Sequence, residues 1–406
     1  MHLAQTERQR QLRAELRAYF ATLMPSKVGA SGPVADTPDA DDPGAHTPAA
    51  DDPGEQRRLL RRIGADGMLG LGWPVEYGGR GRGADEQFVF FDEAYRAGAP
   101  VSMVTLNTVG PTLMKYGTEE QKAYFLPRIL SGDLVFAIGY SEPEAGTDLA
   151  AMRTRAVRDG DSWVIDGQKI FTSNAQNADW IWLACRTDPE APKHRGISII
   201  LVPTDAPGFS WTPIETVGGL TTTATYYDGI RVPAGHLVGE ENGGWGLITN
   251  QLNHERVALA AIGMQAEDCY AAALAFARTP DPATGRRPAE EPWVRARLAE
   301  AYARLAATRL LNWRLVGDVG AGSLAPGEAS GVKFAGTESA VEVYRICQEV
   351  VGEAGTVRGG SPGCFGDGEL ERMNRAAQIN TFGGGVSEVQ REIVATMRLG
   401  MKRGKR

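Results

Sequence analysis

The stretch that decides the fold is SWVIDGQKIFTSNAQNADWIWLACRT, residues 162–187. It alternates short segments rich in aromatic and β-branched residues with Asp-Gly and Asn-containing turns, a pattern typical of successive β-strands. Similar segments are LVFAIGY (134–140) and GISIILVPT (196–204). No helical stretch of roughly 10–15 residues lies between them, which disfavours a parallel sheet with crossover helices. We predict a small antiparallel β-domain over residues 134–240.

On both sides of this region, apolar residues recur every three or four positions, which predicts helices. Residues 1–133 form a predicted helical domain, interrupted at 29–55 by a segment rich in Pro, Asp, Ala and Gly. That composition cannot bury a core, so the segment is predicted to be a mobile insertion. Residues 241–406 carry long amphipathic stretches typical of a four-helix bundle. The predicted fold class is α+β, with a helical domain, an antiparallel β-domain and a helical bundle in that order.

Composition excludes several classes of function. The chain has 406 residues and a formal net charge of -7, so no basic nucleic-acid surface is expected. No apolar run approaches the roughly 20 residues that span a bilayer, and the charged N-terminus has no signal-peptide core. Four cysteines and five histidines show no metal-ligand spacing. We therefore expect no metal, reduced thiols and a cytoplasmic location.

Four motifs, in order, resemble the acyl-CoA dehydrogenase family. They are GMLGLGWPVEYGGRG (67–81), the block from GPTLMKYGTEEQ to SEPEAGTDLA (110–150), DGQKIFTSNAQNADWIWLACRTD (166–188) and TFGGGVSEVQREIVA (381–395). The resemblance covers nearly the whole chain outside the insertion. It implies FAD held between the β-domain and the bundle, with part of the site supplied by a neighbouring subunit. It also implies α,β-dehydrogenation of an acyl thioester, as in fatty acid metabolism.

The resemblance also implies which residues meet the cofactor. Tyr140 and Ser141 are expected beside the isoalloxazine, and Thr147 near the pantetheine arm of the substrate. Phe171 and Ser173 are predicted to share one face of a strand against the flavin, because side chains two apart point the same way. The alternatives are a core phenylalanine, and turn-capping roles for Ser141 and Thr147. The cofactor-binding residues implied by the motifs are Tyr140, Ser141, Thr147, Phe171, Thr172, Ser173, Gly352, Gly384, Gly385, Ser387 and Glu388.

Two positions depart from the family pattern. Where many members have an Arg that reaches the FAD pyrophosphate of a partner subunit, this chain has Asp281, although Arg278, Arg286 or Arg287 could substitute. Glu349 stands where the family commonly has Gln. An acidic residue beside a pyrophosphate would repel it. The part of the FAD site that crosses subunits is therefore left open by the sequence.

The catalytic base does not lie where many relatives have it. That position is Gly384, which has no carboxylate. Some family members instead carry the base before an Arg on the first bundle helix, and this chain has Glu255 followed by Arg256. Glu255 shares an apolar stripe at helical spacing with Ile248, Leu252, Leu259 and Ile262. Burial there would raise its pKa, which suits a base working near neutral pH.

We therefore predict Glu255 as the base; the alternative is that it pairs with Arg256, which adjacent helix positions disfavour, or with a distant cation. The substrate-binding residues implied are Thr147, Asn253, His254, Arg256 and Gly384. Expected partners are an acyl-CoA or acyl-carrier-protein thioester and an electron-transfer flavoprotein or similar acceptor. The chain is expected to form a homodimer or homotetramer, or a mixed heterotetramer. A flavin monooxygenase on the same fold is a further alternative, which the retained Glu255 disfavours.

Overall fold

The computed structural model describes residues 5–24, 52–251 and 263–402. The predicted insertion at 29–55 therefore lies outside the described residues, except for its last four. Those four contradict the prediction, because a helix begins at Pro53 and its N-cap Asp52 accepts a hydrogen bond from the backbone N–H of Gly54. Asp at the N-cap followed by Pro in the first turn is a helix-start signal, and this local signal prevails over the composition of the segment.

The N-terminal domain is helical, as predicted. Its first helix begins with a reciprocal capping box between Thr6 and Gln9. A π-helical segment, Val104–Val109, runs directly into the fourth helix. The helices are α1 (Glu7–Leu23), α2 (Pro53–Ala65), α3 (Ala84–Ala97), α4 (Gly110–Tyr116) and α5 (Glu119–Leu130).

The middle of the chain forms an eight-stranded sheet in the order β6-β7-β3-β2-β4-β5-β8, with β1 paired to β4. Most neighbours are antiparallel, but β1 and β2 both run parallel to β4, so the sheet is mixed rather than purely antiparallel. The long connection after β1 lets the chain return in the same direction without a crossover helix. The strands are β1 (Phe136–Gly139), β2 (Arg155–Asp159), β3 (Ser162–Lys169), β4 (Trp180–Arg186), β5 (Ile197–Pro203), β6 (Phe209–Glu215), β7 (Thr221–Pro233) and β8 (Leu237–Val238).

The C-terminal part is a helical bundle. Helices α8 (Pro292–Gly320) and α9 (Pro326–Val351) are the longest of those described in full, and they pack along each other. None of the described helices is both long and apolar enough to cross a membrane. The helices are α6 (described part 244–251), α7 (Ala266–Arg278), α8 (Pro292–Gly320), α9 (Pro326–Val351), α10 (Glu369–Ala377) and α11 (Ser387–Ile393).

Candidate functional site

Two segments that lie about 30 residues apart in sequence meet at one end of the sheet. The Lys169 ammonium donates to the Tyr140 carbonyl oxygen at 2.9 Å, and the Ile170 backbone N–H donates to the Ser141 carbonyl oxygen at 2.8 Å. The structure thus brings Tyr140 and Ser141, expected beside the flavin, against the Phe171–Ser173 segment. This is the part of the predicted cofactor site whose residues lie together within the described chain.

The predicted strand through Ser173 is wrong. Strand β3 ends at Lys169, and Phe171 adopts a left-handed backbone with φ 59°. The Ile170 N–H bonds to Ser141, and after the left-handed residue Phe171 the Thr172 N–H bonds to Thr223 of β7, so the regular ladder is interrupted at Phe171. Phe171 and Ser173 are therefore not related by strand alternation.

Phe171 is not a core residue, because 62% of it is exposed. A phenylalanine in a left-handed conformation is uncommon, and such backbone outliers cluster at functional sites. Close by, the Ser173 hydroxyl lies 3.1 Å from the Thr222 hydroxyl. An open aromatic ring with neighbouring hydroxyls suits stacking against a planar cofactor.

Thr172 differs from its two neighbours. It is fully buried, its hydroxyl lies 3.3 Å from the Thr225 hydroxyl, and its carbonyl accepts the Thr223 hydroxyl at 2.6 Å. Its side chain faces into the sheet and offers no surface to a ligand. Phe171 and Ser173 are exposed and Thr172 between them is buried, so a contact of Thr172 with the cofactor stays a prediction that its side chain does not support.

The hydroxyls of Ser141 and Thr147 are available to form hydrogen bonds with a ligand. Within the described residues, neither hydroxyl makes a hydrogen bond, so neither caps a turn. Thr147 is exposed in the turn that follows the Glu142–Ala145 bridge. The Ser141 hydroxyl, the Phe171 ring and the Ser173 hydroxyl lie on two segments that meet through the Ile170–Ser141 bond, and this combination fits a cofactor such as FAD, which has a planar ring with hydrogen-bonding edges.

The Tyr140 side chain points toward the bundle rather than along the sheet. Its phenol donates to the Gln251 side-chain carbonyl, and the Trp182 indole N–H donates to the Tyr140 oxygen at 3.2 Å. Gln251 is buried at the described end of α6. Gln251 is not predictable from the sequence, because one amide on an amphipathic helix carries no chemical signature.

The glycine-rich turn before α11 is held by a buried lysine. Gly384 and Gly385 have φ of 66° and 103°, values that glycine adopts readily. The Lys333 ammonium on α9 donates to the Gly385 carbonyl at 2.7 Å. Ser387 donates to the Thr381 carbonyl at 3.2 Å, and Glu388 is exposed in the first turn of α11. The sequence analysis also missed Lys333, although a lysine in an apolar helical stretch is a detectable signal.

Gly352 lies away from this turn. It follows the C-terminus of α9, whereas Lys333 and the glycine turn lie near the N-terminal end of that helix. Roughly 19 residues of helix separate them, which corresponds to about 28 Å. Gly352 and Gly384 therefore cannot contact the same flavin ring within one chain.

The positions that depart from the family pattern have local partners. Asp281 accepts hydrogen bonds from the backbone N–H groups of Thr284 and Ala283, and these donors hold its pKa below the usual value. Arg286 pairs with Glu291 at 2.9 Å. Glu349 accepts a hydrogen bond from Arg297 at 2.7 Å. A neighbouring cofactor would have to compete with these contacts.

Four predicted site residues, Asn253, His254, Glu255 and Arg256, lie outside the described residues, so their roles stay predictions. Among the residues that are described, no group of His, Cys, Asp and Glu side chains could hold a metal ion.

Three family models match the chain. They describe the N-terminal domain of acyl-CoA dehydrogenase (residues 41–133), its middle domain (137–228) and its C-terminal domain (242–399). Among curated proteins, acyl-CoA dehydrogenase FadE26 of Mycobacterium tuberculosis is 49% identical over 414 residues, covering 100% of both chains. Acyl-CoA dehydrogenase FadE29 of the same organism is 45% identical over 409 residues, covering 99% of each.

Solved structures agree with these matches. The structure of the Tcur3481-Tcur3483 steroid ACAD has a TM-score of 0.89 and 53% identity, covering 100% of both chains. The ChsE4-ChsE5 complex from Mycobacterium tuberculosis has a TM-score of 0.88 and 48% identity, again covering 100% of both chains. The predicted α–β–α fold and the FAD cofactor are thereby confirmed. The chain belongs to the acyl-CoA dehydrogenase family of FAD-dependent oxidoreductases.

Proposed function

We propose that this chain catalyses the FAD-dependent α,β-dehydrogenation of an acyl-CoA to the trans-2-enoyl-CoA. The observation that carries the proposal is the junction of Tyr140–Ser141 with Phe171–Ser173, where an exposed ring and hydroxyls lie together. Ser141 and Ser173 would hold the polar edge of the isoalloxazine, and Phe171 would pack on its face. When bound, FAD supplies the acceptor, flavin N5, for the β-hydrogen as hydride.

Glu255 is proposed as the base that takes the α-proton. The α-carbon of a thioester is weakly acidic, so a positioned carboxylate must remove its proton as the β-hydrogen leaves. The electron pair of the broken Cα–H bond then forms the Cα=Cβ double bond. Gly384 offers no carboxylate, and Glu388 is exposed at the start of α11. Glu255 is the carboxylate that the family pattern and the helical spacing both support.

The test is an anaerobic titration. Purified protein is mixed with acyl-CoAs of increasing length and with bulky, ring-bearing acyl-CoAs, and the flavin absorbance is followed. Wild type should bleach, and Glu255→Gln should bleach roughly 100- to 10,000-fold more slowly, as expected on removing a general base. The matched control is Glu15→Gln on α1, which should bleach like wild type. Unchanged bleaching in Glu255→Gln would refute the base assignment.

The relatives support a proposal about the substrate class and the assembly. The Tcur3481-Tcur3483 protein, 53% identical to this chain, is a steroid ACAD, and both it and the ChsE4-ChsE5 complex are named for two components. We propose that the acyl group taken by this chain is bulky and ring-bearing, with the side-chain-free turn at Gly384 leaving room for it. Asp281 and Glu349 favour a mixed assembly in which a second homologous chain completes the FAD site.

An electron-transfer flavoprotein is the proposed acceptor of the electrons. The acyl-carrier-protein thioester stays an alternative substrate, because it shares the phosphopantetheine arm of coenzyme A. A flavin monooxygenase activity is disfavoured by the retained Glu255–Arg256 pair. The cytoplasmic location stays a prediction.

A further inference from the structure

Lys169 is a fully buried cation at the end of β3. Its side chain is 0% exposed, and its ammonium contacts the Glu142 carboxylate at 2.8 Å and the Tyr140 carbonyl at 2.9 Å. The third neighbour is the Met152 sulfur at 4.0 Å. A lysine this deeply buried is rare unless it is paired. Two of its contacts are to the segment that carries Ser141.

Glu142 is fixed as firmly as the lysine. One carboxylate oxygen accepts the backbone N–H of Arg153 at 2.6 Å, and the other accepts that of Thr154 at 2.9 Å. Burial opposes ionisation of Glu142, but Lys169 and these donors hold its pKa below the usual value. Burial lowers the pKa of Lys169, and Glu142 opposes that shift. The carboxylate therefore carries its charge at neutral pH.

Burying an ion pair contributes little to stability. The free-energy penalty of desolvating the two charges often cancels their electrostatic attraction, and well-packed apolar side chains commonly give equal or greater stability. What apolar side chains cannot do is donate a hydrogen bond to the Tyr140 carbonyl. The next residue after Lys169, Ile170, donates its backbone N–H to the Ser141 carbonyl. The pair and this backbone bond thus set the register between the two segments.

We propose that Lys169 and Glu142 are positioning residues for the cofactor, which fix Ser141 against Phe171 and Ser173. The proposal rests on the proposed function, because it assumes that these segments meet FAD. Lys169 acts directly on the carbonyl of Tyr140. Glu142 acts by anchoring the lysine and by tying the segment to the backbone before β2.

The test compares Lys169→Met, Glu142→Gln and the double variant Lys169→Met/Glu142→Gln. Three quantities are measured for each: the Kd for FAD, the absorption spectrum of bound flavin and the denaturant midpoint of unfolding. Lys169→Met leaves a buried carboxylate without its cation, so both stability and FAD affinity should fall, the affinity at least tenfold. Glu142→Gln retains the Lys169 amino group, which can donate to the Tyr140 carbonyl whether charged or neutral, so it should lose less FAD affinity than Lys169→Met.

The double variant separates positioning from stability. Removing both charges should return the unfolding midpoint toward wild type, while the FAD affinity stays at least tenfold weaker and the flavin spectrum stays altered. The control is Arg57→Met, which breaks a partly buried pair with Asp179 (2.8 Å) that joins α2 to the start of β4. It should lower the midpoint and leave the flavin spectrum unchanged.

Recovery of FAD affinity together with stability in the double variant would overturn the proposal. If the variants do not fold, hydrogen exchange of the wild-type protein provides the test. The backbone amides of Thr154 and Ile170 should exchange with solvent slowly both with and without FAD, and fast exchange of these amides would also overturn it. If wild type that has bound FAD, alone or co-expressed with a homologous chain, bleaches with no acyl-CoA, the proposed function fails instead.

Discussion

Phe171 has a left-handed backbone conformation, which is unfavourable for a residue with a phenylalanine side chain. A left-handed conformation costs a non-glycine residue roughly 1–2 kcal/mol, and the exposed ring regains little of this by burial. Asn tolerates this conformation better. We therefore expect Phe171→Asn to raise the free energy of unfolding of the apoprotein by up to about 1 kcal/mol. The loss of ring stacking should weaken FAD binding about 3- to 10-fold.

The measurements are denaturant unfolding of the apoprotein and titration with FAD. Phe382→Asn is the matched control for stability, because Phe382 is also exposed but has φ -125°. It should show no gain in stability. A loss of more than about 1 kcal/mol in the free energy of unfolding of Phe171→Asn would mean that the ring packs against the protein and is not exposed for binding a ligand.

At the scale of elements, Arg96 joins the N-terminal domain to the bundle. It stands in the last turn of α3, is only 9% exposed in its side chain, and pairs with Asp92 at 2.9 Å and with Glu267 of α7 at 2.8 Å. It also donates to the Met264 carbonyl at 3.0 Å. Arg96→Met would leave the fully buried Asp92 with Arg13 as its remaining cation. We expect a loss of about 3–5 kcal/mol in the free energy of unfolding.

Chemical denaturation of the holoprotein measures this loss. The control is Arg309→Met, which removes a partly exposed partner of the same Glu267 at 2.6 Å. It should cost less than about 1 kcal/mol, because exposed ion pairs are weak. Equal losses of unfolding free energy in Arg96→Met and Arg309→Met would show that the burial of Arg96 does not determine how strongly it stabilises the contact between the domains.

At the scale of the whole molecule, we predict that a second chain completes the FAD site, because Gly352 and the glycine turn lie near opposite ends of α9. Asp281 and Glu349 are both engaged locally and both acidic, which disfavours a second copy of this chain as the donor of pyrophosphate contacts. We expect the isolated chain to hold clearly less than one FAD per chain. Co-expression with a homologous chain that carries Arg and Gln at these positions should raise the ratio.

Light scattering and the flavin-to-protein absorbance ratio measure the assembly and its occupancy. A homo-oligomer of this chain alone with one tightly bound FAD per chain would contradict the mixed assembly. Such a result would leave the proposed dehydrogenation itself intact, because that is tested by bleaching with acyl-CoA.

The sequence by itself determined the α–β–α order, the family and the presence of FAD. The order of domains follows from local patterns, since helical spacing, strand-rich segments and turn residues are set by neighbours in the chain. The family and FAD follow from the resemblance carried by the four motifs. It also placed Ser141 and Phe171 in one site through their motifs. The Pro53 helix start could have been found from Asp52 and Pro53, but the composition of the surrounding segment obscured it.

Only the tertiary structure decided how the site residues face. Ile170 bonds to Ser141, which is far away in sequence, and Phe171 takes a left-handed conformation before the Thr172 N–H bonds to Thr223 of β7. The pairing of Lys169 with Glu142 also joins segments that are distant in sequence. Strand alternation assumes an extended backbone, and here the left-handed residue interrupts that backbone after Lys169, so the local pattern does not predict the turn.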